Sequence, residues 1–285
     1  MEETVIEAKG ELSGEMKPAP KKKRNPFVIV FNVFLVAVIA CGLALSVFLL
    51  VLRVTYSGTC YINGTSMYPT LNAEGRSYSD ENSNGKYFYE QGGKLVFLPS
   101  HDGDLVDYGY VDGKEGTLNS LKRFDIVVTY YQNDYDPSTG KVIGAPKVKR
   151  IIGLPGETLT LVPDYSPMGK LTINDEVVEQ PGNSFEHYNA PLQEAGLNIS
   201  YPASNDISNH APWQYLPITL GEDEYYVCGD NRFGDWSADS RSRGPVRKKD
   251  IQAVVKTMIG LCRIGDDDCK LDWSTLKMPW DWKSL

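Results

Sequence analysis

The chain begins with one long apolar run, and beyond it the apolar positions come only in short groups. From Phe27 to Leu52 the sequence reads FVIVFNVFLVAVIACGLALSVFLLVL, with Asn32 as its one strongly polar side chain. As an α-helix this run is about 39 Å long, which exceeds the roughly 30 Å hydrocarbon core of a bilayer. The apolar core of a cleavable leader is shorter, about 7–15 residues. The pattern therefore predicts a single transmembrane helix over residues 27–52.

The charges that flank this run predict its orientation. The sequence KKKR at residues 21–24 precedes the run, whereas Arg53 alone closes its far end. Positively charged residues next to a span tend to stay in the cytoplasm. We therefore expect residues 1–26 to form a disordered, basic cytoplasmic tail and the chain beyond about residue 54 to lie on the other side of the membrane.

After the apolar run, hydrophobic and β-branched residues recur over short stretches bounded by Gly, Pro, Asn or Asp, which is typical of strands and turns. These stretches are LVFL at 95–98, FDIVVTYY at 124–131, KVKRII at 147–152, ETLTLV at 157–162, EYYVCG at 224–229 and IQAVVKTMIGL at 251–261. A further strand is predicted for LTIN at 171–174. The sequence thus predicts a mainly β fold, with an antiparallel, barrel-like domain after the helix.

Two polar segments are interpreted as insertions into this β core. Residues 72–121 are rich in Gly, Ser, Asn, Asp and Tyr, and residues 163–222, a possible cap subdomain, are rich in Pro, Asn and Ser. The remaining boundaries place the β core at 53–71, 122–162 and 223–262, and a C-terminal tail at 263–285.

Charge and cysteine content narrow the classes of function. A formal net charge of −8 argues against a nucleic-acid binder, which usually carries a basic stripe. Cys41 lies in the apolar run, whereas Cys262 and Cys269 enclose a short loop. These two either pair in an oxidising compartment or remain free thiols. No CxxC spacing is present, so a zinc site is not expected.

One loop superficially resembles a calcium-binding loop. Asp134, Asp136 and Ser138 precede Gly140, but the glycine is misplaced for such a site. A β-hairpin turn is the favoured interpretation. No metal or organic cofactor is expected for this chain.

Histidine placement argues against a Ser–His–Asp triad. The three histidines, at 101, 187 and 210, all lie in the polar insertions and not on a rigid element.

Four other segments, in order, resemble the conserved boxes of type I signal peptidases. They are GTSMYPTL at 64–71, RFDIVV at 123–128, KRIIGLPGE at 149–157 and GDNRFGDWSADSRSRGPV at 229–246.

The resemblance implies a serine protease with Ser66 as nucleophile and Lys149 as base. By itself Ser66 reads equally as a turn-forming hydroxyl, and Lys149 as part of a solvated basic strand. A free lysine, with a pKa of about 10.4, is protonated at neutral pH, but burial disfavours the ammonium and lowers that pKa. The apolar neighbours Val148 and Ile151 suit such burial, and Ser–Lys pairs are a known variant of triad chemistry.

The same resemblance implies roles for further residues. Ser237 orients the lysine, and the Ser66 N–H stabilises the oxyanion, with Gly64 where some members carry a second donor. Arg150 pairs with an acidic residue of the last box. The residues of that box that buttress the site are Asp230, Arg232, Asp239 and Arg241. The side chains expected to line the substrate pockets are Ile62, Met67, Leu71 and Val148.

Two positions depart from the family's pattern. Phe124 stands where the family usually has Gly, and FGDW at 233–236 makes the last box longer than usual, which bears on the placement of Ser237.

The expected function is removal of signal peptides from exported preproteins, after small residues at −1 and −3, at a bacterial plasma membrane. The partners are then the signal peptides of secretory preproteins and the lipid bilayer, without nucleic acid. A glycan on the acceptor sequence at Asn63 would block the groove, which argues against the lumen of the endoplasmic reticulum. The alternative is an inactive or specialised homologue that serves the assembly of a dedicated exported protein such as a pilin.

Overall fold

The computed structural model describes residues 25–68, 70–73, 88–91, 94–98, 100–162, 170–177, 214–231, 237–266 and 268–285. The predicted tail, most of 163–222 and Arg232 lie outside these residues. The chain divides into two compact units, one that ends at Leu52 and one that begins at Arg53.

Helix α1, Pro26–Thr55, begins in the first unit and ends three residues beyond its boundary, and it confirms the predicted apolar helix. Its large apolar side chains are exposed along its length, as for Phe27, Phe34 and Leu43. In the described part of the chain it is the one helix long and apolar enough to cross a bilayer. An exposed helix that is apolar all round is stable in a hydrocarbon environment rather than in water.

The second unit is built of short strands. In chain order they are β1 Gly58–Tyr61, β2 Phe88–Gln91, β3 Lys94–Phe97, β4 Leu105–Asp112, β5 Ile126–Thr129, β6 Lys147–Gly153, β7 Thr158–Val162, β8 Lys170–Ile173, β9 Glu176–Val177, β10 Ile218–Thr219, β11 Glu224–Cys228, β12 Val246–Arg247, β13 Ile251–Ile264, β14 Cys269–Leu271 and β15 Lys283–Ser284. Two short helices are α2 Glu115–Leu118 and α3 Ser240–Arg243. Single 3₁₀ turns occur at Gln132–Asp134, Lys248–Asp250, Trp273–Thr275 and Pro279–Asp281.

The main sheet has the strand order β1-β4-β13-β5-β6-β11-β12, with β14 and β15 added to β13. All of its pairs are antiparallel, and the sheet curls into a half-barrel, as the mainly β prediction requires. Successive residues of a strand point to opposite faces. On β5, accordingly, Ile126 packs in one apolar cluster with Ile62 and Val255, whereas Val127 packs in another with Ile151. The strands at the centre of the sheet are buried on both faces.

A second sheet has the order β10-β7-β8-β9 and packs its own apolar cluster around Leu159 and Ile173. It includes the described part of the segment predicted as a second insertion, and it confirms the strand predicted at LTIN. Strands β2 and β3 form a separate hairpin.

The interpretation of 72–121 as an insertion outside the core is wrong for β4. This strand lies between β1 and β13 in the main sheet. Its apolar signal is interrupted by Asp107, whose carboxylate is buried against Asn72, and by Gly109. A side chain at Gly109 would collide with the Thr257 carbonyl, where the partner strand bulges. β4 was therefore not recognised in the sequence, because Asp107 and Gly109 interrupt its apolar pattern and their partners come together only in the folded chain.

The C-terminal boundary also changes. Residues 263–285 are not a separate tail, because β14 and β15 pair with β13. A disulfide joins Cys262 to Cys269, which selects pairing from the two alternatives for these thiols. The loop at residues 134–140 is a hairpin turn, the interpretation favoured from the sequence. Tyr135 bridges to Val142, and the Gly140 N–H donates to the Asp136 carbonyl.

Candidate active site

Ser66 lies in a tight turn just after edge strand β1. The Tyr68 N–H donates to the Thr65 carbonyl at 3.0 Å, and the Leu71 N–H donates to the Met67 carbonyl at 3.0 Å. The turn is entered through Gly64, whose φ of 88° is a left-handed conformation that glycine adopts without strain. Tight turns of this kind expose the side chain at their corner.

One buried amide holds the start of this turn. The Asn72 Nδ2 donates to the carbonyls of Ile62 and Gly64, both at 2.7 Å. Asn72 and Asp107 also exchange two further hydrogen bonds, from Asn72 N to Asp107 Oδ2 and from Asp107 N to Asn72 Oδ1, each 2.7 Å. The sequence analysis missed both residues. The one local signal is that Asn, with Asp, is among the few residues besides Gly that tolerate the φ of 62° found at Asn72.

A second buried amide holds the end of the turn. Asn231 N donates to the Ser66 carbonyl at 3.0 Å, and Asn231 Nδ2 donates to the Thr65 carbonyl at 3.1 Å. Gly229 lies against the same Ser66 carbonyl, and any side chain there would collide with it and with the Ser237 hydroxyl. The GDN sequence at 229–231 thus packs closely against the back of the turn that holds Ser66.

Lys149 comes from the middle of β6, which is bonded to β5 on one side and to β11 on the other. Its Nζ lies 2.9 Å from Ser66 Oγ and donates to the Val148 carbonyl at 2.8 Å. The residue is only 3% exposed. Burial lowers the pKa of Lys149 from its usual 10.5 to about 8; the positive charges of Arg241 and Lys147 add to this, and Asp239 opposes it. A substantial fraction of this amine is therefore neutral in mildly alkaline water.

Ser237 is buried close behind the dyad. Its hydroxyl is near enough to Asp239 to help lower the pKa of that carboxyl, but it has no partner within hydrogen-bond geometry among the described residues. The hydrogen bonds of Lys149 Nζ go to Ser66 and Val148. The structure thus brings Ser237 to the site, and its lysine-orienting role stays a prediction.

A buried ion pair links β6 to the segment after β11. Arg150 Nε and Nη2 donate to the two carboxylate oxygens of Asp230 at 2.8 and 2.7 Å. The expectation that Arg150 pairs with an acidic residue of the last box is met by this contact. Arg150 Nη1 also donates to the Phe124 carbonyl at 2.8 Å. Phe124 has a φ of 72°, a region unfavourable for a bulky residue, which explains why glycine is usual at this position.

A second ion pair, Asp239 with Arg241, is buried beside the first. Arg241 Nε and Nη2 each lie 2.9 Å from the carboxylate, and Asp239 also accepts from Gly229 N at 2.8 Å. Burial acts to raise the pKa of Asp239, but Arg241 outweighs it, and the net effect is a lowered pKa. Asp239 caps α3 at its N-terminus and so fixes the whole segment behind the lysine.

Ser66 and Lys149 open onto a mainly apolar groove with a volume of about 590 Å³. Ile62 and Val148 line it, as predicted from the sequence. Met67 and Leu71 do not line it: like Ile62 they are at most 1% exposed and belong to the core cluster below the groove, but unlike Ile62 they do not reach its surface. Their contact with substrate stays a prediction. The sequence analysis missed other lining residues, which include Cys60, Val111, Val128, Ala145, Pro146, Ala238, Gln252 and Ala253.

This arrangement has the parts that acyl transfer requires. A hydroxyl lies within proton-transfer distance of an amine whose pKa is lowered, and both face a groove with room for an extended chain. Among the described residues no group of acidic, His and Cys side chains could hold a metal ion. The burial of Cys60 raises the pKa of its thiol to about 12, so Cys60 is a poor rival nucleophile in the same groove.

Comparison with known proteins points to one family. A family model described as signal peptidase, peptidase S26, matches residues 30–259. Signal peptidase I P of Bacillus subtilis subsp. natto is 33% identical over 161 residues, which are 54% of this chain and 70% of that protein. Signal peptidase I of Bacillus amyloliquefaciens is 31% identical over 51% of this chain and 71% of its own length. A solved signal peptidase I from Enterococcus faecalis V583 is 27% identical, covers 47% of this chain and 96% of its own, and has a TM-score of 0.30.

Proposed function

The chain belongs to the signal peptidase family, peptidase S26, and is a serine endopeptidase; on that premise we propose that Ser66 is its nucleophile and Lys149 its general base. The observation that carries this assignment is the 2.9 Å separation of Ser66 Oγ from the Nζ of a lysine that is almost wholly buried. The alternative of an inactive assembly factor is not favoured, because both members of the dyad are present and in contact.

The proposed reaction proceeds through an acyl-enzyme. Neutral Lys149 takes the proton of Ser66 Oγ as that oxygen bonds to the scissile carbonyl carbon, and the carbonyl oxygen becomes an oxyanion. The Lys149 ammonium then protonates the leaving amine, and the C–N bond breaks. Lys149, again neutral, deprotonates a water molecule that attacks the ester, and the signal peptide leaves with a carboxylate as Ser66 recovers its proton.

Strand edges beside the dyad support binding of the substrate as an extended chain. β1 is an edge strand, and Lys147–Lys149 of β6 pair with β5 on one side only, because β11 pairs with residues 150–153. A peptide bound between these edges would present alternate side chains to the groove. Short side chains such as Ala145 and Ala253, together with Val128 and Val148, leave shallow apolar pockets that suit small residues at −1 and −3.

We place the enzyme at a bacterial plasma membrane, anchored by residues 27–52, with residues 1–26 in the cytoplasm and the β domain outside. KKKR at 21–24 supports this orientation. Aromatic side chains support contact of the β domain with the bilayer interface: Trp273 and Trp280 are both 76% exposed. Tyr56, the residue after α1, stacks on Tyr110, which in turn contacts Trp282.

The test is cleavage of a secretory preprotein by the full chain purified in detergent. The wild type is expected to cut after a small-x-small sequence, and Ser66→Ala and Lys149→Ala are expected to cut at the background rate. Ser120→Ala and Lys249→Ala, which alter exposed residues away from the groove, are the matched controls and should retain wild-type activity. Activity that survives in Ser66→Ala would refute the assignment of the nucleophile.

Specificity is tested in the same assay with substrates that carry Ala, Leu or Phe at −1 and −3. The wild type should discriminate strongly against the larger side chains. Ala253→Gly, which widens the groove, should relax that discrimination. Equal cleavage of Ala and Phe substrates by the wild type would contradict the proposed pockets.

A further inference from the structure

The site as described supplies one evident donor to the oxyanion, the Ser66 N–H, and Gly64 has no hydroxyl to add a second. A single donor is a poor match to the usual oxyanion site, in which at least two N–H or O–H groups converge on the developing charge. The inference below rests on the proposed function of Ser66 and concerns what completes this site.

The hydrogen bonds of Asn231 determine how two consecutive peptide planes are turned. Its Nδ2 binds the Thr65 carbonyl at 3.1 Å, and its N binds the Ser66 carbonyl at 3.0 Å. In a trans peptide the C=O and the following N–H point in opposite directions. The N–H groups of Ser66 and Met67 are therefore both directed away from Asn231.

Within the described residues, these two N–H groups are not bonded to any other group of the fold. In the described part of the chain, neither Ser66 N nor Met67 N has a hydrogen-bond acceptor, although the next N–H, that of Tyr68, is bonded to the Thr65 carbonyl. Asn231 is fully buried behind the turn, whereas Ser66 lines the groove on the other side. Successive N–H groups that point to one side form a concave binding site for an anionic oxygen.

We infer that Asn231 is a positioning residue that orients the N–H groups of Ser66 and Met67 together toward the oxyanion, with the Met67 N–H as the second donor. The other amide of the turn, Asn72, does not share this role. It binds the carbonyls of Ile62 and Gly64, and it therefore orients the N–H groups of Asn63 and Thr65 instead.

The Asn231→Asp variant tests the inference with little change of volume. It replaces the Nδ2 donor by a carboxylate oxygen that repels the Thr65 carbonyl. Loss of one oxyanion donor typically lowers kcat about 10²- to 10³-fold, and we expect kcat/KM to fall by that factor. Asn119→Asp, at an exposed asparagine whose side chain accepts from Lys248, is the matched control and should leave kcat/KM unchanged.

Two binding measurements separate positioning from general damage to the fold. A peptide aldehyde forms a tetrahedral adduct when Ser66 Oγ bonds to its carbonyl carbon, the Oγ proton passes to Lys149 and the carbonyl oxygen becomes the oxyanion. Its affinity should weaken by the same factor as kcat/KM. Binding of an intact substrate peptide, measured in a Ser66→Ala background with and without Asn231→Asp, should not change. Equal weakening of both ligands would overturn the inference, as would a folded variant with wild-type kcat/KM.

If Asn231→Asp does not fold, the inference can still be tested by NMR of the wild-type protein. In ¹⁵N-labelled protein the amide protons of Ser66 and Met67 should both move downfield when the aldehyde adduct forms. A shift at Ser66 alone would overturn the role of Met67, and a shift at neither would overturn the inference as a whole. A wild type that cleaves no preprotein contradicts the proposed function itself, whereas an active wild type with an unimpaired variant contradicts only the role of Asn231.

Discussion

Ser66 and Lys149, the proposed nucleophile and base, are held in place by different means. Ser66 lies in a turn whose carbonyls are bound by two side-chain amides, those of Asn72 and Asn231. Lys149 lies on β6, where it pairs with Val127 of β5, just before the residues of β6 that also pair with β11. The turn thus depends on a few specific hydrogen bonds, whereas the strand depends on backbone hydrogen bonds to its neighbours and on packing, to which many residues contribute. Single substitutions should therefore alter orientation in the first region and the pKa of a buried group in the second.

The largest expected effect comes from removing the base function while keeping the charge. In Lys149→Arg the guanidinium stays protonated at any accessible pH and cannot accept the Ser66 proton. We expect kcat/KM for a preprotein to fall about 10⁴-fold or more, as measured by single-turnover cleavage. Retention of a tenth of wild-type activity would contradict the role of Lys149.

The ion pair of Arg150 and Asp230 joins the two regions, because Arg150 follows Lys149 and Asp230 precedes Asn231. In Asp230→Ala the buried guanidinium loses its partner, and we expect the free energy of unfolding to fall by about 3–5 kcal/mol. Urea unfolding of the full chain in detergent measures this. Replacing both partners, in Arg150→Met with Asp230→Leu, should cost much less than the single change. Equal losses in the single and double variants would contradict an unpaired buried charge as the cause.

The buried lysine itself lowers stability at neutral pH. Its folded pKa of about 8 lies below the 10.5 of an exposed lysine, so between these values the unfolded chain binds more protons and stability rises with pH. At about 1.4 kcal/mol per pKa unit, the cost below pH 8 is about 3 kcal/mol.

Lys149→Met should therefore be more stable than the wild type by about that amount at pH 7, because Met fills a similar volume without a charge. The difference should shrink as the pH rises from 8 to 10.5. Unfolding curves at pH 7 and pH 10 measure it. A gap that stays constant over this range would show that packing, not the proton, is responsible.

The smallest effect is expected at Cys60, the other nucleophilic group in the groove. Burial holds the pKa of its thiol at about 12, so almost none is thiolate near pH 8. Cys60→Ala should change kcat by less than about fivefold, which corresponds to about 1 kcal/mol in the activation free energy. A much larger loss of kcat in a steady-state assay would mean that Cys60 takes part in the chemistry.

The comparison of the two regions also explains what the sequence could predict. The strands around Lys149 are short β-branched runs bounded by turn residues, so KVKRII at 147–152 and its neighbours indicate the fold. The pattern alone fits a solvated lysine equally well, and the role of Lys149 was expected from the family resemblance. The hydrogen bonds that hold the Ser66 turn could not be predicted, because Asn72 and Asn231 make them with residues that are distant along the chain. An asparagine in the sequence gives no sign of which carbonyls it will bind. β4 was missed for the same reason, since the buried Asp107 reads as a loop residue until Asn72 is placed beside it.

The residues that line the substrate groove were likewise only partly predictable from the sequence. Ile62, Met67, Leu71 and Val148 are equally apolar in sequence, but only Ile62 and Val148 line the groove. Burial does not separate the two pairs, because Ile62 is as buried as Leu71 and packs in the same core cluster. Which face of a turn points to solvent is decided by the strands that pack against it. Small residues such as Ala145 and Ala253, which shape the pockets, carry no signal of their own in the sequence.

The pH dependence of kcat/KM for a preprotein substrate tests most directly whether a buried, neutral Lys149 is the base. Because kcat/KM reports the free enzyme, its acid limb should follow the pKa of Lys149. The account predicts a tenfold rise per pH unit at low pH, with a midpoint at about pH 8. An acid limb with a midpoint between about pH 4 and 6.5, the range of carboxylates and histidine, would contradict it.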